Sequence, residues 1–229
     1  MFQPDQYISS LIALLKEAFG ERLIYVGLQG SYLRGEATEH SDIDVMVVIE
    51  DMRVADLAAY REAIMTLPEP DKSCGFICGR EELRHWNPLE ICHLLHTTRD
   101  FCGTLRELVP AYTAADVAAY VKMSVGNLYH ELCHRYVHAP RQSSIGALPQ
   151  TCKALFFILQ NLHYLETGRF IATKRELLQA LSGNDRQALA MALSLSRAEP
   201  ASLEEALSLL LSWCREALVR TSSIAGTAL

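Results

Sequence analysis

The chain has 229 residues, half of them apolar and 21% charged, with a formal net charge of −6. That balance suits one large or two small soluble globular domains with room for a substantial core. The longest apolar runs, Val45 to Ile49 and Ala154 to Leu159, are far too short to cross a bilayer, and the opening MFQPDQYISS lacks the cationic start and apolar stretch of a secretory signal, so a cytoplasmic location is expected.

The charge is unevenly spread. Residues 1–110 hold 18 acids against 10 bases, or −8, and residues 111–229 hold 9 against 11, or +2. No dense Lys/Arg stripe occurs, which argues against tight binding of long nucleic acid through its phosphates. An acidic surface suits a cationic substrate or a metal–nucleotide complex instead. The seven cysteines are scattered, odd in number and without a repeated short spacing. They read as reduced, mostly buried thiols rather than a disulfide framework.

In chain order, Gln6 to Phe19 has apolar residues at helical spacing and stops at Gly20. Leu23 to Leu28 reads as a strand, a short helix or turn follows Gly30-Ser31, and Ile43 to Ile49 is a second strand dense in valine and isoleucine. Val54 to Met65 reads as a helix stopped by Pro68 and Pro70. Gly75 to Cys78 suits a short strand and Glu81 to Trp86 a helical turn. The stretch Leu89 to Thr97, LEICHLLHT, is assigned as a third strand. From Thr113 the pattern becomes all-helical: a Thr113/Asp116 capping box opens a long helix, and Leu148 to Glu166 forms another, closed by Gly168. Thr173 with Glu176 and Ser202 with Glu205 mark two more helix starts. The tail TSSIAGTAL is expected to fray. A domain boundary is therefore expected near residue 110, giving domains 1–110 and 111–229.

The chemistry concentrates in GLQGSYLRGEATEHSDIDVMVVIED, residues 27–51. Alternate strand residues share a face, so Asp42 and Asp44 point the same way. Two such carboxylates repel unless a cation or donors separate them, and their neighbours offer no base. Magnesium binds through one or two carboxylates plus phosphates. Gly30 allows close backbone approach at a tight turn, where free N–H groups and the Ser31 hydroxyl can grip phosphate oxygens. Together these pieces describe a site for a metal-bound nucleoside triphosphate.

Gly30-Ser31, an interval of about ten residues, then Ser41-Asp42-Ile43-Asp44 resembles the polymerase-β-type nucleotidyltransferase superfamily. The likeness is closer still to bacterial aminoglycoside adenylyltransferases, which join such a domain to a helical one. The resemblance implies an α/β nucleotidyltransferase domain over a mixed sheet, followed by an all-α helical bundle, with the active cleft between them. It implies Mg2+ as cofactor and ATP or another nucleoside triphosphate as co-substrate, with Gly30, Ser31, Arg34 and Ser41 at the nucleotide and Asp42 and Asp44 on the metal. It also implies a third carboxylate on a later strand, for which Glu90 in NPLEICHLL is the match, as metal ligand or general base. In the second half NLHYLETGRFIATKRELL resembles the helical domain of those enzymes, and by that likeness Lys174 would reach the triphosphate. The implied acceptor is a small, cationic molecule such as an aminoglycoside; a protein or RNA acceptor and a nucleotide-binding regulator without turnover are the alternatives.

Plainer readings stand beside these. Asp42 and Asp44 suit a solvated strand end, Glu90 a solvated strand residue, Arg34 a surface position and Lys174 a first-turn helix residue next to the Thr173 cap. The segment HELCH, His130 to His134, matches the H-E-x-x-H zinc-hydrolase signature, with His138 extending the same face. Arg135 directly after it, and the absence of an obvious third ligand, favour instead a helix that simply carries polar residues.

Overall fold

The computed structural model describes residues 3–195 and 202–226. The chain divides into two compact units, Met1–Ala111 and Tyr112–Leu229.

The first unit runs α1 (Pro4–Phe19), β1 (Leu23–Leu28), α2 (Gly30–Arg34), β2 (Ile43–Ile49), α3 (Val54–Met65), β3 (Ser73–Gly79), α4 (Arg80–Arg84), α5 (Pro88–His96) and β4 (Arg99–Cys102). Its four strands lie in the order β3-β2-β1-β4. β1 pairs antiparallel with both β2 and β4, and β2 pairs parallel with β3, so the sheet is mixed. β2 is central, and its two faces feed two different cores. Ile43, Val45, Val47 and Ile49 pack with Ile8, Leu11, Leu15 and Phe19 of α1. Met46 and Val48 pack with Tyr25, Cys78, Leu83 and Leu105 on the other side. Each such fully buried aliphatic side chain contributes about 1.5–3 kcal/mol of transfer free energy, which fixes the register of the strand that carries the two aspartates.

The stretch predicted as a third strand is a helix. Asn87 accepts a hydrogen bond from the Leu89 amide and Pro88 occupies the first turn. This is the arrangement of an N-cap followed by a proline whose missing N–H costs nothing there. Ile91 and Cys92 are the residues α5 buries. A short apolar run does not distinguish strand from helix by itself, and here the cap decides. The last strand of the sheet is β4, too short and too charged at Arg99 and Asp100 to stand out in the sequence.

The second unit contains helices only, among the described residues: α6 (Ala114–His138), α7 (Arg141–Thr151), α8 (Lys153–Thr167), α9 (Lys174–Ala180), α10 (Gly183–Leu195) and α11 (Leu203–Gly226). The Thr113/Asp116 capping box opens α6 as expected. The single helix expected over Leu148 to Glu166 is two, α7 and α8, which meet at Cys152. Pro149 lies inside α7 and has no amide to donate to the preceding turn, so the helical ladder is already weakened just before the break. The expected fraying is also corrected in part: α11 continues through Gly226, with Thr221 buried and its hydroxyl bonded to the Ala217 carbonyl. Residues 227–229 lie outside the described residues. The core gathers Val121, Val125 and Leu128 of α6, Leu155 and Leu159 of α8, and Leu210 and Trp213 of α11.

Candidate active site

The site is built where β1 ends and β2 begins. β1 delivers its last residue, Leu28, opposite Val45, and the next amide, Gln29 N–H, donates to the Asp44 carbonyl at 2.8 Å. The Gln29 side chain donates to the Thr98 hydroxyl at 2.8 Å, and that hydroxyl donates to the Leu94 carbonyl at the end of α5. The turn is thus tied to β2 by its backbone and to α5 by its side chain.

Gly30 follows at φ +70° and opens α2, and Gly35 caps the end of α2 at φ +67°. The two glycines differ in what surrounds them. A Cβ at Gly30 would lie 1.8 Å from Asp44 Oδ2 and 2.6 Å from Asp44 Cγ, whereas nothing lies within 4 Å of a Cβ at Gly35. The Asp44 carboxylate therefore rests directly over Gly30. Lack of a side chain serves two purposes at this position, a left-handed backbone and room for the acid.

Asp44 is half-buried within β2, while Asp42 is exposed and stands one residue before the strand begins. A tight turn holds that entry: the Ser41 amide donates to the Thr38 carbonyl at 3.1 Å, and Ser41 Oγ accepts from the Thr38 amide at 2.9 Å. Ser41 thus shapes the approach to Asp42. Arg34 is no free surface cation. Its Nε donates to Glu36 Oε2 at 3.0 Å, and its side chain is 10% exposed. Burial, followed by the nearby Arg34 charge, pushes the His93 imidazole down to about 4 and keeps it neutral.

Glu90 sits on helix α5 rather than on a strand, and its carboxylate accepts a hydrogen bond from Trp86 Nε1. It does not complete a cluster with the two aspartates: among the described residues no group of three or more His, Cys, Asp or Glu is placed to hold a metal ion. The donor set that does form, two hard carboxylates beside a glycine turn, fits a divalent cation that draws its remaining ligands from phosphate and water. Lys174 belongs to the second unit, where it opens α9 after the Thr173 cap and its Nζ lies 5.8 Å from the Phe156 ring centroid.

Cys74 is a neighbour the sequence did not reveal. In the parallel β2/β3 ladder it is the register partner of Asp44, ahead of Phe76 beside Met46 and Cys78 beside Val48. Partial burial, then the charge of Asp44, raises the Cys74 thiol above its ordinary pKa. Gly75 permits this pairing, since a Cβ there would lie 2.0 Å from the Val45 carbonyl oxygen. Sequence alone carries no signal for Cys74, because its position depends on a ladder between segments thirty residues apart.

The H-E-x-x-H segment lies on α6 with His130, His134 and His138 all exposed. Glu131, which a zinc hydrolase would need as its base, forms an ion pair with Arg135.

Residues 8–82 match the family model for the nucleotidyltransferase domain. A stretch of 57 residues is 44% identical to the protein adenylyltransferase MntA of Thermococcus cleftensis, covering 23% of this chain and 56% of that protein. The chain thus spans a little over half the length of this curated relative. Among solved structures, spectinomycin adenyltransferase AAD(9) from Enterococcus faecialis, crystallised with ATP and spectinomycin, superposes with a TM-score of 0.56 at 15% identity. That match covers 94% of this chain and 99% of the other, and at such identity it shows a common fold. The motif and the mixed sheet agree with the nucleotidyltransferase-domain model that residues 8–82 of the first unit match.

Proposed function

We propose that this chain is an adenylyltransferase that moves AMP from ATP onto a hydroxyl group of an acceptor. The observation that carries this reading is the Asp44 carboxylate seated over Gly30, with Asp42 beside it at the mouth of the same strand. In this reading the Gly30 turn grips phosphate, with Asp44 packed against it and Asp42 two residues earlier on the same chain.

In this reading Asp42 and Asp44 hold Mg2+, which when bound neutralises negative charge on the triphosphate. The Ser31 hydroxyl and the amides of the Gly30 turn hold phosphate oxygens, and Gln29 fixes that turn through Asp44 and Thr98. The acceptor hydroxyl gives its proton to water, its oxygen forms a new bond to the α-phosphorus, the α–β bridging bond breaks, and pyrophosphate departs with its electron pair. Catalysis of this kind rests on positioning and electrostatics more than on covalent participation. Glu90, on α5, is left outside the reacting set because its carboxylate is engaged by the Trp86 indole N–H just ahead of that helix. A role for Lys174 at the nucleotide rests on sequence likeness, and Lys174→Ala tests it by raising KM for ATP with little change in kcat.

The acceptor we favour is a small cationic molecule of the aminoglycoside type. The −8 charge of residues 1–110 favours such a partner, and the fold is shared with an enzyme solved with spectinomycin. A protein acceptor is the second reading, supported by the identity to MntA in part of the chain. Incubation with α-labelled ATP, Mg2+ and a panel of aminoglycosides separates the two. Label on an aminoglycoside supports the first, and label on protein from a native lysate supports the second. Label on neither, with no pyrophosphate released above the level of Asp44→Asn, overturns the assignment as an adenylyltransferase.

A further inference from the structure

Three histidines on α6 remain unused by the reaction. His130, His134 and His138 recur at intervals of four, so they stack along one side of the helix. All three are exposed, and their rings lie beside one another: centroids are 5.7 Å apart for His130 and His134, and 4.9 Å apart for His134 and His138.

Those separations can be set against what chelation needs. A transition metal binds an imidazole nitrogen at about 2.0–2.1 Å, which puts the ion roughly 3.2 Å from each ring centroid. Two rings sharing one tetrahedral ion then have centroids about 5.2 Å apart. The two observed separations bracket that value, so either pair needs only small side-chain rotations to close on an ion. The outer two histidines lie two helical turns apart, about 12 Å, and cannot share an ion. His134 therefore belongs to both possible pairs.

We propose that this face of α6 is a transition-metal chelating site, in which His134 and either His138 or His130 bind one Zn2+, Ni2+ or Cu2+ ion through two imidazole nitrogens, with water completing the shell. Imidazole suits these ions and not magnesium, so the site is chemically distinct from the aspartate pair. It is no hydrolase centre. Glu131 is committed to Arg135, and no group of three or more His, Cys, Asp or Glu converges on a metal among the described residues. Closing an i, i+4 chelate also fixes one turn of helix, so the bound ion stabilises α6.

The test is calorimetric titration of the full chain, freed of metal, with Ni2+ in the absence of nucleotide. We expect one equivalent bound and a rise in unfolding temperature. His134→Ala should remove that binding or weaken it at least tenfold, whereas His130→Ala leaves the 134/138 pair and should weaken it no more than a few-fold. Visible absorption with Cu2+ should show nitrogen coordination in the parent chain and lose it in His134→Gln. Ni2+ bound by His134→Ala as tightly as by the parent, or bound so as to be lost with Asp42→Asn/Asp44→Asn, would overturn the proposal.

Discussion

Gly30 and Gly35 make a controlled comparison at the two ends of one short helix. Their backbones are equally left-handed, but only Gly30 has a carboxylate where a side chain would go. Gly35→Ala should cost about 1–2 kcal/mol of backbone strain and leave transfer intact. Gly30→Ala should carry a similar strain and also lose transfer by roughly 100-fold or more, because it displaces an acid that a reaction of this kind uses electrostatically. Rates measured alongside denaturant unfolding separate the two effects. Asp44→Asn is expected to reduce transfer by roughly 100- to 1,000-fold, while Glu90→Gln leaves it within a few-fold; an equal loss in both would return Glu90 to the reacting set. The residues closest in sequence were the legible ones. Gly30, Ser31, Asp42 and Asp44 fall within fifteen positions, and the contact of Asp44 with Gly30 joins two members of that short stretch. Cys74 comes to Asp44 only through strand register, which no local pattern encodes.

At the scale of elements, β1, β2 and the capped start of α6 could be read from periodicity and cap chemistry, and α5 could not. Its apolar run suits either strand or helix, and the deciding contact is a single side chain, Asn87. Asn87→Ala should destabilise the first unit by about 1 kcal/mol, measurable as a lower denaturation midpoint. A second element-level feature sets acid stability. Asp56 at the start of α3 accepts from both Arg22 terminal nitrogens, at 3.0 and 2.6 Å, and from the Arg53 amide at 2.8 Å. The Arg22 hydrogen bonds, then the Arg53 amide, hold the Asp56 carboxyl down at about 2. An unfolded aspartate titrates near 3.9, so the folded state binds its proton less readily. The stability from this clamp is fully present above about pH 4 and is lost as pH falls toward 2. Asp56→Asn should remove that part of the acid-unfolding curve, seen by circular dichroism between pH 5 and 2.

For the whole molecule, the change from mixed to all-helical patterning near Thr113 was visible in the sequence, but the strand order β3-β2-β1-β4 was not, since it depends on which edges pair. The two tryptophans fall one to each unit: Trp86 precedes α5, and Trp213 is buried in α11 with its indole N–H bonded to Asp185 at 2.7 Å. In Trp86→Phe the remaining fluorescence reports the helical unit alone. We expect its guanidinium midpoint to stay where it is when Gly30→Ala is added, while the midpoint read from the sheet by circular dichroism falls. A common shift would mean that the units unfold as one cooperative body.

The pairing of Cys74 with Asp44 gives the protein a built-in chemical handle. Of the seven thiols, Cys78, Cys92, Cys152 and Cys214 are buried, whereas Cys74 is open to reagents. An acceptor analogue bearing a mild electrophile could be tethered there, next to the acids, and the covalent adduct recovered by digestion would identify what visits the site. Burial and then the neighbouring negative charge raise this thiol's pKa and leave less thiolate at neutral pH, so such trapping should work best in alkaline buffer.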